Sequence, residues 1–249
     1  MSRPLVVAHR GGAGLAPENT LCACARALQL GVDAIEVDVR LTRDGAPWVL
    51  HDATLDRTST GHGPLAQYSA ARLAHLDATR LRRGRCPPEP PPSLAQVLAL
   101  VRGQAALQVE LKGDPAVPPA LVTAVVATLD AQAAGAWTSL LSFDWSALDA
   151  AQALAPSLPL CALAREWPTP AALARLAARK VAWLGVHHRA LTAPRVRAAR
   201  DRGLRVGAWT VNTRPGMHRA LRLGVDAITT DWPDRLQALL AGPTGNPHP

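Results

Sequence analysis

The sequence predicts a parallel (β/α)₈ barrel of the TIM-barrel class, and three observations predict it. Short apolar, β-rich runs alternate with Ala/Leu/Arg stretches of helical period, several helical stretches are followed by Gly, and polar residues gather where the apolar runs end. Strand–helix alternation builds a parallel sheet, and parallel barrels carry their chemistry at the C-terminal ends of the strands.

The predicted strands are Leu5–His9, Ala34–Arg40, Trp48–His51, Ala106–Leu111, Ser139–Phe143, Leu158–Leu163, Ala182–Val186, Arg205–Val211 and Val225–Thr230. The predicted helices are Thr20–Leu30, Ser93–Arg102, Pro118–Gln132, Trp145–Leu154, Pro170–Arg179, Ala193–Arg202 and Arg214–Leu223, with Gly31, Gly103, Gly203 and Gly224 in stop positions. Nine runs are one more than an eightfold barrel uses. The join from Arg40 to Trp48 is also shorter than the roughly dozen residues of a parallel crossover. With Asp44-Gly45 as a turn signal, either the second helix is lost or these two runs form a local hairpin.

Residues from about 53 to 92 are polar and rich in Gly and Pro, and read as an insertion after the third strand. It follows directly on His51-Asp52, so a substrate-covering role is expected of it. Residues 1–241 form the single predicted domain, and 242–249 (GPTGNPHP) a flexible tail.

The chain has 249 residues, 48% of them hydrophobic, enough for one sizeable core. Leu5-Val6-Val7-Ala8 is too short for a signal-peptide core, and no uninterrupted apolar run reaches the roughly 18 residues of a spanning helix. A cytoplasmic protein without stable membrane insertion is expected, with monomer and homodimer both open. Cys22, Cys24, Cys86 and Cys161 are expected to be buried thiols, since Cys22 and Cys24 point in different directions on one helix and no set has zinc-ligand spacing.

The net charge of +8 is carried mostly by Arg, as at Arg80, Arg82, Arg83 and Arg85. It suits an anionic small substrate, a nucleic acid, or merely solvated helix faces. Against nucleic acid, the basic residues are spread over helices and no aromatic-interleaved basic stripe is present.

The candidate site follows from the strand ends. Glu36 and Asp38 are two apart, so an extended strand turns both to one face. With Glu110 from a neighbouring strand, three carboxylates converge, and repulsion and desolvation force neutralisation by a cation or by bases. An all-oxygen set suggests one divalent cation, Mg²⁺ or Ca²⁺, while separate pairing with Arg40 or Lys112 is the alternative. His9 and His51, each at a strand end beside another polar residue, suit an acid–base pair flanking a scissile bond. Arg10 and Lys112 supply charge for a phosphate oxygen, and Gly11-Gly12 permits close backbone approach. Gly11-Gly12 is not a dinucleotide fingerprint.

These residues resemble the bacterial glycerophosphodiester phosphodiesterases. His9-Arg10-Gly11-Gly12 with Ala16-Pro17-Glu18-Asn19-Thr20 looks like the opening signature of that family. Glu36-Val37-Asp38-Val39, Asp44-Gly45, Val49-Leu50-His51-Asp52, Val109-Glu110-Leu111-Lys112, Ser142-Phe143-Asp144, Trp209-Thr210-Val211-Asn212 and Gly224–Asp231 follow in order, covering about 4–238. The resemblance implies a barrel with a small insertion after the third strand, and metal-dependent hydrolysis of a glycerophosphodiester to sn-glycerol 3-phosphate and an alcohol. It implies His9 and His51 as the catalytic pair, Glu36, Asp38 and Glu110 as metal ligands, and Arg10 and Lys112 as phosphate contacts. Glu18-Asn19-Thr20 is expected to hold the first loop and start a helix, with Asn19 or Thr20 as cap. Trp209 and Phe143 are each either a wall facing the substrate or packing. His187-His188 stay outside the expected site. A lysophospholipase D or sphingomyelinase D of the same superfamily would use a similar constellation with an apolar rim. A basic nucleic-acid- or anion-binding module without catalysis is the alternative of another class.

Overall fold

The computed structural model describes residues 3–80, 86–179 and 181–242. Eight parallel strands close a ring: β1 (Leu5–Ala8), β2 (Ala34–Leu41), β4 (Ala106–Leu111), β5 (Thr138–Ser142), β6 (Leu160–Ala164), β7 (Trp183–His187), β8 (Arg205–Trp209) and β9 (Ala227–Thr230). The pairing of β1 with both β2 and β9 shuts it. The remaining strand, β3 (Pro47–Val49), lies outside the ring and pairs antiparallel with the end of β2, Val39 opposite Val49. The Arg40–Trp48 join is therefore a hairpin, and Thr42 accepts the Gly45 N–H and donates its own to Ala46 across it.

Helices follow the ring strands: α1 (Leu21–Gln29), α3 (Leu94–Val101), α4 (Pro119–Ala131), α5 (Trp145–Leu154), α6 (Pro170–Ala178), α7 (Ala193–Arg200), α8 (Arg214–Leu223) and α9 (Pro233–Leu240). Their starts are capped as the sequence implies. Thr20, rather than Asn19, caps α1 by accepting the Ala23 N–H, and Ser93 with Gln96 makes a reciprocal capping box on α3. At the other end of α8, Gly224 turns into the left-handed region at φ 69°.

The period-2 alternation of the strands sorts two cores. Val6 and Ala8 of β1, Ile35, Val37 and Val39 of β2, and Leu107, Val109 and Leu111 of β4 join the helices in the large core outside the ring. The residues between them face the other way. Leu141, Cys161 and Leu163 meet Trp183 and Trp209 there, and Glu36, Asp38 and Glu110 belong to that inner parity. An inward polar side chain near the end of a strand thus has no place to go but the mouth.

The segment between β3 and α3 packs a small core of its own from Trp48, Leu50, Leu55, Leu65, Tyr68 and Leu73, and includes the short helix α2 (Ala70–Leu73) that its weak periodicity conceals. Trp48 Nε1 donates to the Pro91 carbonyl at 2.7 Å, which ties its two ends together. Arg82, Arg83 and Arg85 of the basic cluster and the predicted tail from 243 onward lie outside the described residues. No described helix is long and apolar enough to cross a membrane.

Two of the four expected thiols are not free. Cys22, at the start of α1, is joined by a disulfide to Cys86 of the insertion across 64 residues, while Cys24 and Cys161 remain buried thiols. Cys22 and Cys24 do point apart, as helical geometry requires. The pairing arises because the insertion folds back over α1, where Glu89 also accepts the Cys22 backbone N–H at 3.0 Å. Such a bond is uncommon in reducing compartments. Protein purified without reductant, denatured and alkylated should take up two alkyl groups, and four only after reduction. Four in both cases, read by intact mass, would contradict the pairing.

Candidate active site

The strand register brings the acids together. Asp38 of β2 lies directly opposite Glu110 of β4, and Glu36 sits one inward step below Asp38. One oxygen from each of the three carboxylates falls within 4.8 Å of the others, and all three residues are buried. Arg40 does not join them, since it pairs with Asp114 at 3.0 Å and donates to the His51 carbonyl at 2.8 Å.

Basic and amide groups hold the triad. Lys112 Nζ reaches Glu110 at 2.6 Å and Asp38 at 2.9 Å. Asn19 donates its amide to the second Asp38 oxygen at 2.8 Å, and Arg10 Nε stands 3.2 Å from it. Asn19 sits at φ 59° and Arg10 at φ 52°, both in the left-handed region, a cost that recurs where a site needs a backbone turned. The turned Arg10 backbone N–H donates to Glu36 Oε2 at 2.9 Å. Gly11 serves packing rather than ligand approach, because a Cβ there would meet the Ala23 Cβ of α1 at 2.7 Å.

The carboxylates do not share their environment equally. Burial first, then the charge of Asp38, pushes the Glu36 carboxyl up to about 8. Glu110 is raised for the same two reasons. Asp38 is held well below the usual carboxylate range: burial opposes this, and Lys112 and Arg10 beside it outweigh burial. Glu36 Oε1 is buried with no hydrogen-bond partner. Hard oxygen donors from three strand-fixed carboxylates, one of them with an unused buried oxygen, fit a divalent cation of the Mg²⁺ or Ca²⁺ type.

Each histidine carries its own carboxylate. His9 Nδ1 lies 2.6 Å from Asp231, just past β9, and Asn212 donates to the other Asp231 oxygen at 2.6 Å while accepting the Asp231 N–H. Its Nε2 lies 4.0 Å from Glu36. His51 Nδ1 lies 2.6 Å from Asp52, whose charge is shared with Arg57. Arg57 in turn binds both oxygens of Glu18, which also receives Arg10 at 2.7 Å. Burial disfavours the charged form of both imidazoles. For His9 the Asp231 hydrogen bond and the Glu36 charge outweigh burial and raise its pKa. For His51 burial together with Lys112 and Arg10 prevails over Asp38, and its pKa falls.

A cleft of about 270 Å³ at the mouth is lined by His9, Arg10, Glu36, His51, Glu110 and Lys112, with Phe143, Leu163 and Trp209 as its apolar wall. Every site residue expected from the sequence borders it except Asp38, which lies beneath. Trp209 meets Phe143 and His187 edge-on, each at 5.3 Å between ring centres, so His187 backs the wall. Phe143 is 38% exposed. Asp231, Asn212, Asn19, Asp52 and Arg57 carry parts that sequence reasoning did not assign. Asp231 and Asn212 lie within motifs of the sequence, but only closure of the ring brings Asp231, held by Asn212, to His9, 222 residues away.

A model of the glycerophosphoryl diester phosphodiesterase family matches residues 9–235. The chain is 30% identical over 241 residues to the glycerophosphodiester phosphodiesterase of Caldanaerobacter subterraneus, over 94% of this chain and 96% of that one. It is 31% identical over 258 residues to the glycerophosphodiester phosphodiesterase of Bacillus subtilis, over 96% and 87%. The structure of an Oleispira antarctica phosphodiesterase in complex with the product sn-glycerol-3-phosphate aligns with TM-score 0.86 and 29% identity over 96% of this chain and 97% of that one.

The raised Glu36 pKa has a signed consequence for the cation-free protein. The folded state holds that proton more tightly than the unfolded chain does. Its contribution to stability is therefore full below the ordinary value of 4.5 and is lost as pH rises through about 8. In EDTA, the melting temperature of Glu36→Gln should fall less over that interval than the wild type's. An equal or steeper fall in the variant would contradict the assignment.

Proposed function

The chain belongs to the glycerophosphoryl diester phosphodiesterase family, and we propose that it hydrolyses glycerophosphodiesters to sn-glycerol 3-phosphate and an alcohol by acid–base catalysis between His9 and His51. The observation that carries this reading is the pair of carboxylate-supported histidines beside a buried triad of acids in one cleft. The product seen in the Oleispira antarctica phosphodiesterase supports the substrate class.

Glu36, Asp38 and Glu110 would hold one Mg²⁺ or Ca²⁺. The chemistry supplied by that ion is neutralisation of charge on the phosphoryl oxygens. Arg10 and Lys112 add fixed positive charge at the same place, preorganised by their ion pairs so that little rearrangement accompanies the reaction. Asp38 stays ionised between them and orients both.

The two histidines divide the proton work. With Nδ1–H donated to Asp52, His51 offers an unprotonated Nε2, and its lowered pKa keeps that nitrogen free to take a proton from the nucleophile. Water and the glycerol 2-hydroxyl both suit it as that nucleophile. His9, whose charged form is favoured by Asp231 and Glu36, holds a proton on Nε2 and delivers it to the departing alkoxide. The apolar wall of Phe143, Leu163 and Trp209 covers the carbon skeleton of the substrate and excludes water from it.

Purified protein should release sn-glycerol 3-phosphate from a glycerophosphodiester with Mg²⁺ or Ca²⁺ and not with EDTA. His9→Ala and His51→Ala should each lower kcat by about 10²- to 10⁴-fold. Full activity in EDTA would overturn the cation's part, activity in both histidine variants would overturn the acid–base pair, and no release from any glycerophosphodiester would overturn the substrate class.

A further inference from the structure

A second groove, of about 540 Å³, opens beside the first cleft and shares His51, Glu110, Lys112, Phe143 and Arg165 with it. A phosphodiester has two limbs. With a phosphate between the histidines, as the proposed hydrolysis requires, one limb would enter the cleft and the other the adjoining groove, and Arg165 borders both.

Arg165 follows β6 on the exposed rim, with its guanidinium carbon 5.3 Å from the centre of the Phe143 ring. Among the described residues no carboxylate forms an ion pair with it, in contrast to the other cations at the site. The carboxylates along the groove are already supplied with donors. Asp114 pairs with Arg40, and Asp144 accepts from Val117 N, Ser146 N and Ser146 Oγ as the cap of α5.

Resting on the proposed hydrolysis, we propose that Arg165 sets the charge preference for the alcohol limb, favouring diesters of uncharged polyols over those of a quaternary ammonium alcohol. Aromatic walls ordinarily attract a quaternary ammonium through the face of the ring. Here the guanidinium stands over Phe143, and Trp209 packs T-shaped against Phe143 and His187. A cationic head group would meet an unpaired positive charge where it would otherwise find an aromatic face. A polyol instead finds guanidinium donors for its hydroxyl oxygens. The assignment of limbs to grooves does not alter this, because Arg165 lines both.

The test is the ratio of kcat/KM for glycerophosphoglycerol to that for glycerophosphocholine, measured with Mg²⁺ on the wild type and on Arg165→Lys, Arg165→Gln and Arg165→Glu. At a solvent-exposed rim, reversing one charge should lower the ratio by about three- to tenfold, with Gln between and Lys close to wild type. Because the charge is exposed, added NaCl should shrink the wild-type preference. A ratio unchanged in Arg165→Glu would overturn the role of Arg165 and leave the hydrolysis standing. Turnover of neither diester by the wild type would overturn both.

Discussion

The site depends on one constraint: the β2–β4 register places Asp38 opposite Glu110, and the alternation of β2 adds Glu36 to the same inner face. Ladder hydrogen bonds fix the backbone, so the three carboxylates cannot part to relieve their repulsion. Everything around them answers that charge. Lys112 bridges two of them, Asn19 and Arg10 accept left-handed backbone to reach Asp38 and Glu36, and Glu36 keeps its proton to near pH 8 without a cation. An ion pair with Lys112 alone leaves Glu36 Oε1 buried and unpartnered. A buried polar atom left in that condition is costly, and a divalent cation would remove the cost.

The same charge tunes the histidines. His9 lies against Glu36 and draws on Asp231, whose other oxygen takes only a neutral amide, so its positive form is supported. His51 draws on Asp52, but Arg57 claims part of that carboxylate, and Lys112 and Arg10 stand close by. Two imidazoles in one cleft are thus pushed apart by their neighbours, the condition under which one serves as acid and the other as base. The network Arg10–Glu18–Arg57–Asp52 further links the first loop to the insertion, so the placement of His51 through Asp52 rests on ion pairs that also hold Arg10.

Much of this was legible from residue spacing. All nine strands and seven of the eight helices that follow ring strands stand where period-2 and period-3.6 patterns place them. The final helix, Pro233–Leu240, was hidden because one buried residue, Leu236, and the flanking Pro233 give too short an apolar stripe to register. Glu36 with Asp38 was readable because a two-residue step is local. The partner of His9, Asp231, with Asn212 behind it, was not, since only ring closure joins β1 to β9. Cys22 with Cys86 was hidden because the insertion folds back over α1, a path that local spacing does not show, and the choice between a lost helix and a hairpin after Arg40 turned on β3 having no place in the ring. Local patterns name an element, while long-range pairing needs the topology.

The most direct test of the central constraint is anomalous diffraction from a crystal soaked in Mn²⁺, a redox-quiet stand-in for Mg²⁺ with the same taste for oxygen donors. The account predicts one ion bound by Glu36, Asp38 and Glu110, with Lys112 turned away from at least one of them. A triad that stays closed around Lys112, with no ion or with the ion elsewhere, would contradict it.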